Sequence, residues 1–239
     1  LMVHGIRQVT GYHGNELGRY RELYGGRDGS ELGARVVNPN VWALTNMRFF
    51  LTNVPELPAE IGMTGATRVA GPVRNAAGST MYLFRLPGAL PPAWVAPIAV
   101  KAPDDAVLAT ILDPRFDVTR AALFDTSASV ATQPVPPQLP AALDLRAAVT
   151  SRGPERIALR LSAPAPAGAA LVVSENYYPG WTATVDGRPA PVGRADFSLI
   201  GVGLPAGARE VVLTFTSARY ATGKAITLAV LLLGTLATA

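Results

Sequence analysis

From Glu155 to Ser217 apolar and polar residues alternate. "ERIALRLSA" sets Ile157, Leu159 and Leu161 at every second position. "WTATVDG" does the same with Trp181, Ala183 and Val185, and "REVVLTFTS" with Val211, Leu213 and Phe215. A period of two puts such residues on one face of a strand. "ALVVSEN" is a continuous apolar run, the pattern of a short buried strand, and "RADFSLIGVGL" reads as a further strand. "PAPAG", "YPG", "DGRP" and "LPAGAR" supply turns between them. Strands at this spacing predict an antiparallel β-sandwich over 143–220.

The earlier pattern is mixed. From Asn15, a possible N-cap, Leu17, Tyr20, Leu23 and Tyr24 recur at helical spacing until Gly25 and Gly26. Asn38 and Pro39 read as a helix start, with Pro at the first helical position. That helix runs through Leu44 and gives way to a strand over Met47 to Thr52. "TRVAGPV" and "TMYLFRL" are strand candidates, and "AWVAPIAV" reads as an edge strand because of Pro97. "PDDAVLATILDP" predicts a short helix with Val107, Leu108 and Ile111 on its apolar face. Residues 125–144 are rich in Ser, Thr and Pro and read as a linker or long loop. The expected organisation is α+β: a mixed α/β region over 1–128, a Pro-rich linker over 129–142, and the sandwich over 143–220.

The final segment, 221–239, differs again. From Ala225 to Ala239 it carries no charge. A membrane span needs about 20 apolar residues, so the segment is expected to be the start of a transmembrane helix that is cut short, with membrane lipid as its partner. A helix apolar on every face would otherwise have little to pack on.

Composition narrows the chemistry. Apolar residues make up 49% of the 239 and charged residues 16%, an apolar balance for a soluble protein. Cysteine is absent, which excludes disulfides, thiolate catalysis and Cys-type zinc sites. The net charge is +4, but the arginines are scattered and form no patch in sequence, so no nucleic-acid partner is expected. His4 and His13 are the two histidines, at a spacing that suits no shared helical or strand face. No metal and no cofactor are therefore expected. No glycine cluster has the ending of a phosphate loop, and there is no Gly-x-Ser-x-Gly elbow. Asp104 and Asp105 suit a helix N-terminus better than an acid–base pair.

The stretch "SENYYPGWTATVDG" holds two turns. Tyr178-Pro179-Gly180 has the Pro and Gly of a type II turn, and Asp186-Gly187 the residues of a type I′ hairpin. Trp181 shares a face with Ala183 and Val185, and is expected in the core, with Tyr177 and Tyr178 covering the strand entry. The alternative is a sugar-stacking platform. The candidate substrate-binding residues are Tyr12, His13, Tyr177 and Tyr178.

These segments carry a resemblance. "LVVSENYYPGWTATVDGRPAPV", then "LIGVGLPAGAREVVLTFTSARY", then an apolar helix, resembles the C-terminal end of the YfhO family of bacterial multi-spanning membrane proteins. "VTGYHGNELGRYRELY", "VWALTNMRFFLTN" and "DPRFDVTRAALFD" are similar to earlier segments of that family, in the same order. Pro92 stands where an Arg is common in the family, and Phe49-Phe50 where a Tyr is usual. The resemblance implies a GT-C-like glycosyltransferase that uses a polyprenyl-phosphate sugar and modifies a cell-envelope glycan. It implies that 1–220 lie on the extracytoplasmic side of the cell membrane. It carries no catalytic residue onto this chain, because the family's catalytic carboxylate belongs to an early loop. The implied role is an accessory domain of an enzyme; the alternative is a membrane-anchored carbohydrate-binding or adhesion sandwich. Arg219 and Lys224 beside the helix would alone suggest the opposite orientation.

Overall fold

A computed structural model describes residues 6–9, 17–25, 35–58 and 62–237. Its helices are α1 (Gly18–Gly25), α2 (Pro39–Leu44), α3 (Asp104–Leu112) and α4 (Ala218–Ala237). Its strands are β1 (Phe49–Thr52), β2 (Thr67–Arg74), β3 (Thr80–Arg85), β4 (Ala93–Ala96), β5 (Ala99–Lys101), β6 (Ala122–Phe124), β7 (Ala147–Arg152) and β8 (Arg156–Leu161). The rest are β9 (Ala170–Asn176), β10 (Trp181–Val185), β11 (Arg188–Ala190), β12 (Val192–Ala195), β13 (Leu199–Gly203) and β14 (Glu210–Phe215). The class is α+β, as expected.

Two sheets face one another. One has the order β11-β10-β14-β8-β7, and every pairing in it is antiparallel. The alternating residues do what their period requires. Ile157, Leu159, Leu161, Ala183, Val185, Val211 and Leu213 are buried in the space between the sheets. Facing them are Val95, Leu171, Val173, Ile200 and Val202 of the second sheet.

The second sheet has the order β4-β9-β13-β12-β6-β5. Three of its strands precede residue 128 and three follow residue 142, so the sheet joins both sides of the Pro-rich segment. Its other face packs on the helices. Ala170, Val172 and Leu199 meet a core that includes Leu23 of α1, Leu44 of α2 and Ile111 of α3. With both faces covered, β9 buries Ala170 to Val173 without alternation, which explains its continuous apolar run.

This sheet is curled. Its two edge strands, β4 and β5, are separated in the chain only by Pro97 and Ile98. Three residues of extension reach about 10–11 Å, whereas six flat strands would span roughly 24 Å. The edges must therefore bend toward one another into a half-barrel. Small residues permit this. Gly193 and Gly201 are cross-strand partners, and a Cβ on Gly201 would lie 2.6 Å from Phe124 Cζ and from Ala195 Cβ. A Cβ on Gly193 would lie 2.8 Å from Ala128 Cβ. The Phe124 ring, fully buried, occupies the space the two glycines leave.

The 129–142 segment, expected as a linker, is tied to this sheet. Val130 is buried, Gln133 donates its backbone N–H to the Ala99 carbonyl at 2.9 Å, and Arg120 bonds the carbonyls of Leu139 and Pro140. Its prolines fix an extended path over the body of the domain rather than a hinge.

The third sheet, β1-β3-β2, stands beside the sandwich on a small core of Trp42, Met47, Met63 and Leu86. Asn38 caps α2 by accepting from the Asn40 N–H at 2.9 Å, as its Asn-Pro start suggests. "RADFSLIGVGL" is not one strand. It is the β12–β13 hairpin, whose turn residues Asp196 and Phe197 have φ of 45° and 72° without a glycine.

Trp181 is half-buried rather than wholly interior. It opens β10 at the end of the sandwich, opposite Phe215, the last residue of β14, with ring centroids 5.3 Å apart. It packs on the rim of the inter-sheet core because the strands end there. Asp186 and Gly187 form the expected turn, with φ of 48° and 77°.

Two residues after Phe215, the chain becomes helix. The Ser217 hydroxyl accepts from the Tyr220 N–H and starts α4. Ala225, Ile226, Leu228, Ala229, Val230, Leu231 and Leu233 are all exposed, and at 100° per residue they surround the helix. Among the described residues no helix is long and apolar enough to cross a membrane. The first two turns of α4 carry Arg219 and Lys224, ahead of the charge-free run that begins at Ala225.

Candidate functional site

The arginines and carboxylates that sequence reading left scattered converge where α1, α3 and the β12–β13 turn meet. They line a cavity of about 700 Å³. Arg19, Arg21 and Glu22 reach it from α1, Asp104, Asp105 and Leu108 from α3, and Phe197 from the hairpin turn.

Asp104 organises one wall. It lies in the first turn of α3, where a carboxylate is favoured. Its Oδ1 accepts from Arg194 Nη1 at 2.8 Å, and its Oδ2 from Arg19. Partial burial pushes its pKa up, but the hydrogen bonds from Arg194 and Arg19 outweigh that and hold it below the usual carboxylate range. With both oxygens engaged, Asp104 is an ionised strut rather than a proton carrier.

Arg194 is the centre of the network. Its largely buried guanidinium also donates to the Phe197 carbonyl at 2.9 Å and lies 3.6 Å from Asp125 Oδ2. It thus ties β12, α3 and the segment after β6 to the hairpin turn. Arg19 lies 5.9 Å from the centroid of the Phe197 ring.

Asp196 sits beneath, wholly buried. Its Oδ1 accepts from the Leu123 N–H at 2.9 Å, while Oδ2 has no partner. Burial raises its pKa to about 7, against the lowering effect of the Leu123 bond. Nearby on α1, Tyr20 has its phenol pKa raised by burial and by the neighbouring Tyr24. Glu175, at the end of β9, is held by Arg7 at 2.7 Å and by Arg152.

Among the described residues the lining offers guanidinium and carboxylate groups, and no hydroxyl, imidazole or amine side chain. Such a surface can hold a polar ligand by charge and hydrogen bonds, but it assembles no nucleophile with an adjacent base. Among the described residues no cluster of three or more His, Asp or Glu side chains is placed to hold a metal.

Of the residues singled out from sequence, Tyr177 and Tyr178 do not line this cavity. Tyr12 and His13 lie outside the described residues. Tyr177 is half-buried against the inter-sheet core, and its backbone N–H donates to the Ser198 carbonyl at 2.8 Å. Tyr178 points outward beside Phe215, with ring centroids 6.3 Å apart. Asp104 was legible as a helix N-terminal carboxylate, but its pairing with Arg194 gave no sequence signal, because 90 residues separate them and only the fold brings them together.

No family model and no curated protein matches the chain. A solved structure, the arabinofuranosyltransferase AftD from mycobacteria, aligns with 36% of this chain at 26% identity and a TM-score of 0.26. The alignment spans 6% of the AftD chain, and a TM-score this low carries no argument about fold or activity.

Proposed function

We propose that this chain is an accessory, extracytoplasmic module of a bacterial membrane protein resembling GT-C-type glycosyltransferases of the YfhO family. In the whole protein, the polyprenyl-phosphate sugar and the envelope glycan meet at a catalytic centre that these residues do not supply. The sandwich holds shape beside that centre, and α4 anchors it in lipid. The reading rests on the colinear sequence resemblance. The observation that supports it in the fold is the junction between sandwich and helix: β14 passes within two residues into a helix that leaves its apolar side chains exposed on every side. Burying such side chains in lipid would recover about 25 cal/mol per Å² of apolar surface.

These 239 residues carry no cysteine, so once any cysteines elsewhere in the full-length protein are replaced by serine, a single introduced one reports on topology. Ala77 sits exposed in the β2–β3 turn. In the full-length protein, Ala77→Cys should react with a membrane-impermeant maleimide on intact cells. Labelling only after the cells are permeabilised would overturn the extracytoplasmic placement.

A further inference from the structure

The end of the sandwich from which α4 leaves differs from the rest of the surface. Tyr178, Trp181 and Phe215 form a row of aromatic rings there, with Tyr178 about half exposed. The row is bound to the helix base. The Tyr178-Pro179-Gly180 turn closes with Trp181 N–H on the Tyr178 carbonyl, and the Gly180 carbonyl accepts from the Thr216 N–H at 3.0 Å. Gly180 is required at this point, with φ of 123° and a would-be Cβ against the Thr216 carbonyl.

Positive charge surrounds the same end. Arg156 pairs with Thr214, next to Phe215, and is exposed. Arg219 and Lys224 are exposed on the first two turns of α4. Glu155 is the acidic residue beside them, its carbonyl accepting from the Phe215 N–H at 2.8 Å. Glu175, at the end of β9, is paired with Arg7 and Arg152.

Aromatic rings with basic side chains at the foot of an apolar helix are the arrangement a lipid headgroup layer selects. The spacing agrees. From Ser217 to Lys224 the helix rises about 10 Å at 1.5 Å per residue. The headgroup layer on one side of a bilayer is roughly 5–8 Å deep. With Lys224 at the hydrocarbon boundary, the aromatic row stands at the outer edge of the headgroups, within reach of Tyr178 and Arg156. We propose that this end of the sandwich docks on an anionic phospholipid surface, and so fixes the domain's orientation on the membrane. The proposal rests on the reading of α4 as a lipid anchor.

The test uses the whole chain with single cysteines carrying an environment-sensitive fluorophore. Leu231→Cys reports on the helix, Tyr178→Cys on the proposed surface, and Ala206→Cys on the β13–β14 turn at the far end of the sandwich. Glu155→Cys is a second probe of the surface should Tyr178→Cys fold poorly. The vesicles are phosphatidylcholine alone, or about three parts phosphatidylcholine to one of phosphatidylglycerol. Blue shifts are expected at 231 in both, at 178 and 155 only with the anionic lipid, and none at 206. Adding Arg156→Gln and Arg219→Gln should raise the concentration of anionic vesicles needed for the 178 shift by roughly fivefold per charge removed. A shift at 231 with none at 178 or 155 overturns the docking proposal and leaves the anchor standing. Equal shifts at 178 and 206 overturn it too. No shift at 231 overturns the anchor and the docking proposal with it.

Discussion

Replacing Asp196 with Asn exchanges a buried carboxyl for a neutral group of the same shape. The folded pKa of Asp196 is about 7 and the unfolded value 3.8. The folded state therefore keeps a proton through a window that the unfolded state crosses without one. Stability from this group is present in full below about pH 4 and is lost as the pH rises through about 7. The gap is about three pH units, and at 1.36 kcal/mol per unit the loss is on the order of 4 kcal/mol. Asn cannot ionise, keeps an oxygen to accept from the Leu123 N–H, and tolerates the positive φ at this turn. Asp104 and Asp113 do not mask the effect. Their pKa values are lowered, so they titrate below this window in the folded state. Urea unfolding of both proteins from pH 4 to pH 8 reads the difference. Asp196→Asn should lie close to wild type at pH 4 and pull ahead steadily toward pH 7.5. Parallel stability curves would refute the reasoning and mean that the carboxylate finds water or a partner in the folded state.

Three further outcomes are expected in the same unfolding assay. Arg194→Gln should cost about 2–3 kcal/mol, below the full penalty for breaking a buried ion pair because Asp104 is a third exposed; a cost under 0.5 kcal/mol would deny Arg194 its bracing role. Gly201→Ala should cost about 1–3 kcal/mol, since its methyl meets the Phe124 ring and Ala195; a neutral result would mean the sheet relaxes freely at its tightest point. Trp181→Ala should cost about 1–2 kcal/mol, less than a fully buried aromatic; a loss above 3 kcal/mol would place the ring deeper than the strand end allows.

Local signals carried the parts of the fold that depend on local physics. The alternating strands β8, β10 and β14, the Asn38 cap and the Asp186-Gly187 turn all follow from residues within a few positions of one another. The Asp196-Phe197 turn was hidden, because neither residue is a glycine and the apolar run continues across it. The use of β4, β5 and β6 in the half-barrel was hidden as well. "AWVAPIAV" was legible as an edge strand, and β4 and β5 are the two edges of the sheet, but its division at Pro97 and its partners far along the chain were not. The cavity was least legible, since Arg19, Asp104 and Arg194 are unremarkable until α1, α3 and β12 are brought together. Trp181 met its expectation only in part, packing on the rim of the core, because alternation assigns a face but not a depth, and strand ends are shallow.

The half-barrel also sets an order of events at the ribosome. Strand β4 pairs with β9 through Ala96 and Ala170, 74 residues apart. At roughly 5–20 residues per second, β4 waits about 4–15 s for its neighbour to be synthesised. During that time its unpaired N–H and C=O groups and its apolar side chains are open to any other strand that passes. A translational pause between β6 and β9 would lengthen the time that Ala93 to Lys101 stay unpaired and so their exposure to aggregation.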